Sequence, residues 1–477
     1  MLLRPHTILD GYPVTLPRTL VAGLTIAFLL IAALLPASRC ALAVPGDGST
    51  DDESPAAPST ASTDPQAEAA GFGLPEGFVV QLFAAEPDVK NPVAFSVDEK
   101  GDIYVCESFR QNRGITDNRG HDRTWVEADL AAQTVADRIA YHRRLLGSEV
   151  SSYERHEDRI RRLVDGDGDG RADRSDVFSD GYRRLEDGTA AGVLARRGDV
   201  WLTCIPNLDR LRDLDGDGHI DRGTAESTTL STGYGVRVAY RGHDLHGLTL
   251  GPDGRLYFTI GDRGFHVEHD GTLDHEPGRG AVLRCDLDGK HLEVVAVGLR
   301  NPQELAFDDL GNLFTVDNNS DAGDNARLVH VVPGSDSGWR MEYQYLDDRG
   351  PWHREKIWHT ENADQPAFML PPLAHVGSGP SGMAFYPGTG LSPHFLDRFL
   401  LVDFRGGAAN SCIRTFRVVP RGGSFALADE EETIRNVLAT DVEVGPDGAI
   451  WASDWVESWD GAGKGRIWRF LPCERTA

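Results

Sequence analysis

Apolar and polar residues alternate along one repeated phrase of this sequence, and its clearest copy is His246–Asp262, HGLTLGPDGRLYFTIGD. Two short apolar runs flank a Pro-Asp-Gly turn, which is the pattern of two antiparallel strands joined by a tight turn. The phrase therefore predicts a β-hairpin. Five related phrases make six hairpins in all, the others being Val93–Glu107, Ala191–Asn207, Gln303–Asp317, Ser381–Asp403 and Thr440–Asp454.

A third strand is predicted after each hairpin, because an Arg stands next to an apolar residue at the same place in every repeat. Short antiparallel strands repeated around an axis form a β-propeller, which leaves few exposed sheet edges. We predict an all-β fold, a six-bladed propeller of four-stranded antiparallel blades over residues 71–471. Gly77–Ala84 (GFVVQLFA) has no hairpin of its own and is expected to close the ring as the outer strand of the last blade.

One stretch departs from the strand pattern. Trp125–Leu146 has apolar residues at helical spacing and contains neither Gly nor Pro, which predicts one inserted helix. The segment before it, Glu107–Arg123, is polar and rich in Arg. Long loops on propellers cover a mouth of the channel or lie on its rim, and we expect this insert there.

The first 43 residues have the features of a secretory signal peptide. An Arg-bearing stretch ends at Arg18, the apolar run Leu20–Leu35 follows, and Ala41–Ala43 offers a small-x-small cleavage site. The apolar run is short for a spanning helix but long enough for an uncleaved anchor. Residues 44–70 contain no aromatic residue and predict a flexible linker, and 472–477 a tail. The protein is therefore expected to be periplasmic or secreted, touching the membrane only if the signal segment stays uncleaved.

Composition narrows the range of partners. The 477 residues include 74 acidic and 48 basic side chains, a formal net charge of −26, which repels phosphate backbones and excludes nucleic acid as a partner. A neutral sugar or polyol, a glycan or protein surface, or a cation is favoured instead. Of six cysteines, Cys40 lies in the predicted signal peptide, and the remaining odd number lacks a Cys-x-x-Cys-His motif. This excludes a disulfide framework and covalently bound haem.

Two acidic loops have the layout of calcium-binding loops. In Asp165–Asp176 (DGDGDGRADRSD), oxygen ligands recur at alternate positions around a glycine turn, as Ca²⁺ requires. Asp-Gly runs also make simple turns, but five carboxylates within twelve positions repel each other without a cation. The second loop is residues 213–224 and ends in Thr. The predicted ligands are Asp165, Asp167, Asp169, the carbonyl of Arg171, Asp173 and Asp176, and then Asp213, Asp215, Asp217, the carbonyl of His219 and Asp221.

Polar residues also recur where the second strand of each hairpin is predicted to end. Such positions meet at one mouth of a propeller, where binding and catalysis take place. Two interpretations stay open, a functional rim or a set of hydrogen-bonded ties within the blades. The six residues are Glu107, Asn207, Asp262, Asp317, Asp403 and Asp454.

Three motifs carry a family resemblance: HDLHGLTLGPDGRLYFTIGDRG (His243–Gly264), GLRNPQELAF (Gly298–Phe307) and PSGMAFY (Pro380–Tyr386). They resemble the glucose/sorbosone dehydrogenases, six-bladed propellers that use pyrroloquinoline quinone and calcium. The segments LPEGFVVQLFAAEPDVKNP and TDVEVGPDGAIWASDW are more similar still to planctomycete-type membrane-bound dehydrogenase propellers, here without a haem c domain. The resemblance covers residues 74–470.

The resemblance implies specific site residues. His243 corresponds to the general base of the family, with His246 as its competitor, and Arg300 and Asn301 correspond to residues that contact substrate and quinone. Arg405 matches a basic residue that touches the cofactor, and the rim residue Asp317 is expected to contact the cofactor as well.

The sequence also departs from the family. Leu438, Ala439 and Thr440 stand where the last blade should offer arginines to the carboxylates of the quinone, and Asn318–Ser320 replaces a calcium-holding Gly-Pro. Two hypotheses follow. The chain is a calcium-binding sugar or polyol oxidoreductase of the quinoprotein type, or a non-catalytic carbohydrate- or protein-binding propeller that has lost the cofactor site.

Overall fold

The structure is a computed structural model that describes residues 64–321, 324–340 and 370–473. The predicted signal peptide, the predicted linker up to residue 63 and the last four residues of the predicted tail lie outside these ranges. None of the helices in the described part of the chain combines the length and the apolar character that crossing a membrane requires.

Six blade sheets follow one another along the described part of the chain, which confirms the predicted six-bladed propeller. Five of them have four antiparallel strands, and the sheet of blade 3 has a fifth strand that pairs in parallel. The first strand, β1, is Phe78–Ala85. Blade 1 consists of β2 Pro92–Val97, β3 Ile103–Glu107, β4 Asp158–Val164 and β5 Arg174–Tyr182. Blade 2 consists of β6 Ala190–Arg196, β7 Asp199–Cys204, β8 Asn207–Leu211 and β9 Ser227–Thr232.

Blade 3 carries an additional hairpin that the sequence pattern did not predict. Its strands in chain order are β10 Leu245–Leu250, β11 Leu256–Ile260, the separate hairpin β12 Phe265–His269 and β13 Thr272–Glu276, then β14 Gly280–Cys285 and β15 Glu293–Leu299. Blade 4 contains β16 Pro302–Phe307, β17 Leu313–Asp317, β18 Arg327–Val331 and β20 Ala374–His375, while β19 Ser335–Asp336 pairs in parallel with β15.

The last two blades complete and close the ring. Blade 5 contains β21 Pro380–Phe385, β22 Arg398–Asp403, β23 Cys412–Arg421 and β24 Ser424–Arg435. Blade 6 contains β25 Ala439–Val444, β26 Ile450–Asp454 and β27 Arg466–Pro472. Strand β1 pairs antiparallel with β27 from Phe78↔Pro472 to Ala85↔Arg466, so the two ends of the propeller share one sheet, as predicted.

The core lies between the blades. Six hydrophobic clusters each combine side chains from two neighbouring blades, so the inner strands are buried on both faces. Between blades 5 and 6, for example, Leu400 and Ile434 pack in one cluster with Trp468. Each large apolar side chain buried in this way contributes about 1.5–3 kcal/mol. Packing of each blade against the next therefore stabilises the ring.

The folded part begins earlier than the predicted boundary at residue 71. Helix α1, Pro65–Ala69, starts at Asp64, whose side chain accepts a hydrogen bond from the backbone N–H of Gln66. The buried Glu68 forms an ion pair with Arg466 of β27, and Phe72 packs edge-on against Trp468 at 5.2 Å. These contacts hold the segment against blade 6, which composition alone did not reveal.

The single helix predicted in the insert is wrong. The segment forms α2, Arg123–Ala131, and α3, Val135–Leu146, because Ala132 is extended and Thr134 starts a new helix through a capping box with Asp137. A 3₁₀ turn, Gly147–Glu149, and α4, Val150–Tyr153, follow. Two further 3₁₀ turns are Pro393–Phe395 and Ala408–Asn410.

Candidate functional site

The rim carboxylate of blade 4 is a tie within its blade. Asp317 accepts hydrogen bonds from the backbone N–H groups of Arg300 (2.9 Å) and Asn301 (2.7 Å), and it forms an ion pair with the buried Arg327 of β18. One carboxylate therefore connects the chain entering the first strand to the second and third strands. Its oxygens are thus engaged within the blade, and the cofactor contact expected of Asp317 stays a prediction.

Blade 5 repeats this arrangement. Asp403 accepts hydrogen bonds from the backbone N–H groups of Ser378 (3.0 Å) and Gly379 (2.9 Å) and pairs with Arg405 (2.7 Å) and Arg414 (2.8 Å). Burial raises the pKa of Asp403, but the hydrogen bonds from Arg405 and the backbone outweigh burial and leave the pKa below its usual value. Arg405, predicted to contact the cofactor, thus neutralises the rim carboxylate beside it.

The other rim positions differ in detail. In blade 1, Glu107 pairs with Arg159 at 2.6 Å. In blade 6, burial raises the pKa of Asp454 to about 6. The predicted rim residue of blade 2 is wrong, because β7 ends at Cys204 and Asn207 is the first residue of β8. The tie interpretation therefore fits the carboxylates of blades 4 and 5 and, through Arg159, that of blade 1.

Blade 3 uses its rim carboxylate differently. Asp262 accepts a hydrogen bond from Trp339 Nε1 at 3.0 Å, and its other oxygen lies 2.7 Å from His243 Nδ1. All three residues are buried. Because an ionised carboxylate can only accept, an ionised Asp262 makes Nδ1 of His243 the donor in this contact. The pair has the geometry of a base oriented by a carboxylate.

His246, the competing base, is held by the backbone. Its Nε2 lies 2.7 Å from the carbonyl oxygen of Gly242 and 3.0 Å from the backbone nitrogen of Asp244. Burial lowers the pKa of His246, against the opposing charge of Asp244. Asp244 itself pairs with Arg263 at 3.0 Å and is not the partner of His243. The ring of His246 therefore closes the turn that leads into β10.

Arg300 lies next to the His243–Asp262 pair. Its guanidinium carbon lies 5.4 Å from the ring centre of Tyr240 and 5.5 Å from that of Trp339, and the Tyr240 ring is 5.8 Å from the His243 ring. Burial lowers the pKa of Arg300, but Asp321 and Asp262 outweigh it and raise the pKa. Arg300 therefore stays positively charged beside His243 and Asp262.

Two contacts with neighbouring residues hold the Arg300 side chain in place. Arg300 donates a hydrogen bond from Nη1 to the carbonyl of Asn319 at 2.6 Å and forms an ion pair with Asp321. The neighbouring Asn301 has a buried Oδ1 with no hydrogen-bond partner in the described part of the chain. A buried acceptor without a partner is rare, and it marks Asn301 as a position where a bound group could supply the missing contact.

Three carboxylates converge in the first acidic loop. Oxygens of Asp165, Asp167 and Asp173 lie within 4.8 Å of one another. Asp165 accepts hydrogen bonds from two backbone N–H groups of the loop, and so does Asp173, which fixes the side chains before any ion binds. This is a preformed oxygen cluster of the kind that Ca²⁺ uses.

The remaining predicted carboxylates of this loop have other partners. Asp169 accepts a hydrogen bond from the backbone N–H of Arg171 at 2.8 Å. Asp176 lies in β5 and pairs with Arg174 at 2.7 Å. The twelfth position of the motif is therefore not brought to the cluster, because the chain has already entered a strand whose side chains point to alternate faces.

The second loop gains a residue that the motif did not include. Oxygens of Asp213, Asp215 and Glu226 lie within 4.8 Å of one another. Glu226 follows the predicted loop by two positions and accepts a hydrogen bond from the backbone N–H of Leu214 at 3.0 Å. An acidic residue shortly after the Thr at the end of the motif was the available signal. Asp217 and Asp221 are not part of this group of carboxylates, and the expected contact of the His219 carbonyl stays a prediction.

Comparisons with known proteins agree with this architecture. The chain is 30% identical over 135 residues to quinoprotein glucose dehydrogenase B of Acinetobacter calcoaceticus, a match that covers 23% of this chain and 28% of that relative. The chain thus matches little more than a quarter of the length of this curated relative. The resemblance to the sugar dehydrogenase propellers, indicated by the motifs, is confirmed.

Solved structures share the fold. The soluble aldose sugar dehydrogenase of Escherichia coli, in its apo form, superposes with a TM-score of 0.50 at 13% identity over 83% of this chain and 99% of that one. A structure described as glucose dehydrogenase superposes with a TM-score of 0.51 at 15% identity, over 82% of this chain and 99% of that one. Residues 64–471 match the model of the family described as a domain of unknown function, DUF7133, and the chain belongs to that family.

Proposed function

We propose that this protein is an exported oxidoreductase of the quinoprotein sugar dehydrogenase type, which oxidises a hydroxyl-bearing carbon of a neutral sugar or polyol. The observation that supports the proposal is the buried pair of His243 and Asp262 on blade 3, joined at 2.7 Å. Sugar oxidation of this type requires a base for the hydroxyl proton. An imidazole suits this task near neutral pH, and His243 presents one beside the rim residue Asp262.

In this proposal, His243 and the residues around it have separate roles. His243 Nε2 accepts the proton of the substrate hydroxyl, and Asp262 stabilises the imidazolium that forms. Trp339 holds Asp262 in place through its N–H group, at 3.0 Å. The positive charge of Arg300 lies beside the pair and stabilises negative charge that develops on the substrate oxygen.

Some residues of this chain suit the quinone implied by the family, but blade 6 lacks the cation expected for it. When bound, it would accept the hydride from the substrate carbon. Asn301 offers a buried acceptor without a partner, and Arg300 offers a cation. Blade 6 offers no cation at the position expected for the family, because Leu438 and Ala439 are buried apolar residues and Thr440 bonds to the carbonyl of Pro92. Any further positive charge for the quinone must come from another element.

The proposal includes a structural Ca²⁺ ion in each of the two acidic loops. Each acidic loop brings three carboxylates together. A divalent cation would relieve the repulsion within each cluster. The ions would then stabilise the outer parts of blades 1 and 2.

A second function stays open because specific contacts favour it. Asp317 and Arg405, two of the four predicted cofactor contacts, are engaged in ties within their blades. A propeller that has lost its cofactor could still bind a carbohydrate or a protein surface at the same mouth.

One experiment separates the two functions. The purified protein is reconstituted with Ca²⁺ and pyrroloquinoline quinone and assayed for dye reduction with a panel of aldoses and polyols. We expect reduction that depends on both the quinone and the sugar. Absence of reduction across the panel, together with sugar or glycan binding measured by calorimetry, would support the non-catalytic function instead.

A further inference from the structure

A polar cavity lies between the insert and the loop that carries His243. Its volume is about 330 Å³, and its wall includes Arg113 and Arg119 of the insert, Tyr153 at the end of α4, and Arg241. Pockets that bind small molecules in proteins start at about 300 Å³. The cavity is therefore large enough for a small organic molecule.

The charge of the cavity wall is opposite to that of the whole chain. Three arginines line it, Arg113, Arg119 and Arg241, against one carboxylate, Asp117, which leaves two positive charges (three minus one). The full chain carries a net charge of −26. A local excess of arginine in so acidic a protein calls for an explanation beyond composition.

Asp117 does not compensate these charges fully. It pairs with Arg119 at 2.8 Å and with Arg241 at 3.5 Å, so one carboxylate faces two guanidinium groups. Arg241 Nη1 is buried and has no hydrogen-bond partner in the described part of the chain. A buried cationic nitrogen without an acceptor is costly, and an anion in the cavity would remove that cost.

A further arginine lies behind the wall. Arg263 is almost completely buried, and its Nη2 lies 3.4 Å from the carbonyl oxygen of Thr116, a residue of the wall. Burial lowers the pKa of Arg241, and the charges of Arg119 and Arg263 add to this effect, against the opposing effect of Asp117. Because Arg263 pairs with Asp244 and Asp460 also acts on Arg241, the excess of positive charge here comes from the arginines of the cavity wall.

The cavity adjoins the candidate catalytic pair. The guanidinium carbon of Arg119 lies 4.7 Å from the centre of the Tyr240 ring, and this ring lies 5.8 Å from that of His243. Tyr240 thus separates the arginines of the insert from the base. A ligand in the cavity would lie one aromatic ring away from the reacting groups.

We propose that this cavity is a binding site for a small organic molecule with two or more carboxylates. Planar guanidinium groups bind carboxylates through paired hydrogen bonds, and arginines on separate elements suit an anion with separated charges. The carboxylates can belong to a free organic acid or to the quinone, for which blade 6 lacks arginines. The proposal does not depend on catalysis, since it concerns binding alone.

The test is calorimetry on the whole protein in low-salt buffer, with citrate, pyrroloquinoline quinone, inorganic phosphate and glucose as separate probes. Citrate or the quinone is expected to bind at least tenfold more tightly than phosphate or glucose, and added salt is expected to weaken binding by screening. If the quinone binds and displaces citrate, the quinone is the source of the carboxylates. If only citrate binds, the source is a free acid.

Variants assign the binding to the cavity. Arg241→Gln should weaken binding at least tenfold, while Arg421→Gln, the same change at an exposed position on blade 5, should leave it unchanged. Arg241→Lys retains the charge and should give an intermediate affinity, and melting curves verify that each variant is folded. Equal affinity in Arg241→Gln and wild type, phosphate binding as tight as that of citrate, or no binding of either carboxylate probe would overturn the proposal.

The test of the cavity can fail or succeed independently of the test of the dehydrogenase function. His243→Ala should retain the affinity for the carboxylate probe, because His243 is not part of the cavity wall. Binding without dye reduction would contradict only the dehydrogenase function. Dye reduction that persists in Arg241→Gln with unchanged quinone affinity would contradict only the cavity.

Discussion

Blades 3 and 4 each have an aspartate at the end of their inner hairpin, and the two aspartates have different partners. Asp317 faces backbone N–H groups and Arg327, whereas Asp262 faces an imidazole and an indole. A carboxylate neutralised by an arginine of its own blade acts as a structural tie. A carboxylate that holds a titratable ring in place can take part in chemistry. The partners, not the aspartate itself, distinguish the two roles.

The largest effect should come from removing the ring on blade 3. If the protein is a dehydrogenase, His243→Ala should lower turnover by about two to four orders of magnitude, the usual contribution of a general base. The melting temperature should change little. The measurement is the rate of dye reduction at saturating sugar. The matched control is His246→Ala, where the backbone-bound ring is lost; a greater loss of turnover there, at equal stability, would reverse the assignment.

Removing Asp317, the structural tie of blade 4, should lower the stability of the protein. Asp317→Ala leaves the buried Arg327 without its carboxylate, which should cost about 3–5 kcal/mol of unfolding free energy. Asp262→Ala leaves the Trp339 N–H and His243 unpaired and should cost less, about 1–3 kcal/mol. Urea denaturation of both variants measures the difference. Equal losses would mean that the two aspartates have the same role.

The acidic loops extend the comparison to carboxylates that cluster with one another. If Ca²⁺ binds the folded protein, free calcium at a hundredfold excess over its Kd should stabilise it by about 2.7 kcal/mol, and a chelator should lower the melting temperature. Asp167→Ala with Asp173→Ala should abolish this response.

The matched control for calcium is Asp176→Ala, since Asp176 pairs with Arg174 and lies outside the cluster. Its melting curve should respond to the chelator as the wild type does. A wild-type curve that a chelator leaves unchanged would remove calcium from the proposal.

The last prediction concerns Glu443, a half-buried carboxylate between blades 6 and 1. Glu443 accepts a hydrogen bond from the backbone N–H of Val97 at 2.9 Å, and burial raises the pKa of Glu443 from 4.5 to about 7 despite the opposing charge of Arg196. Because the folded pKa is the higher one, the stabilisation is complete below about pH 4.5 and is lost as the pH rises through about 7.

Glu443→Gln should therefore flatten the dependence of the unfolding free energy on pH between about 4.5 and 7. Urea denaturation at several pH values measures this slope, and Glu76→Gln, at an exposed position, is the control. An unchanged slope in Glu443→Gln would show that another group titrates in this window.

The blades and their closure could be predicted from the sequence because the signals are local. Alternating side chains and a turn determine a hairpin within about fifteen residues, and the repetition of the phrase determines the number of blades. The break between α2 and α3 was readable in the same way, since Thr134 and Asp137 have the spacing of a capping box.

The roles of the rim residues could not be predicted in this way. Asp262 and Asp317 end similar phrases, and their difference depends on Trp339, which is 77 positions from Asp262, and on Arg327 of the next strand. Likewise, Glu226 joins a cluster outside its motif, and Arg241 meets the arginines of a distant insert. The periodicity of a strand determines which side chains share a face, but the tertiary structure determines which residues from other strands and loops come within hydrogen-bonding distance of them.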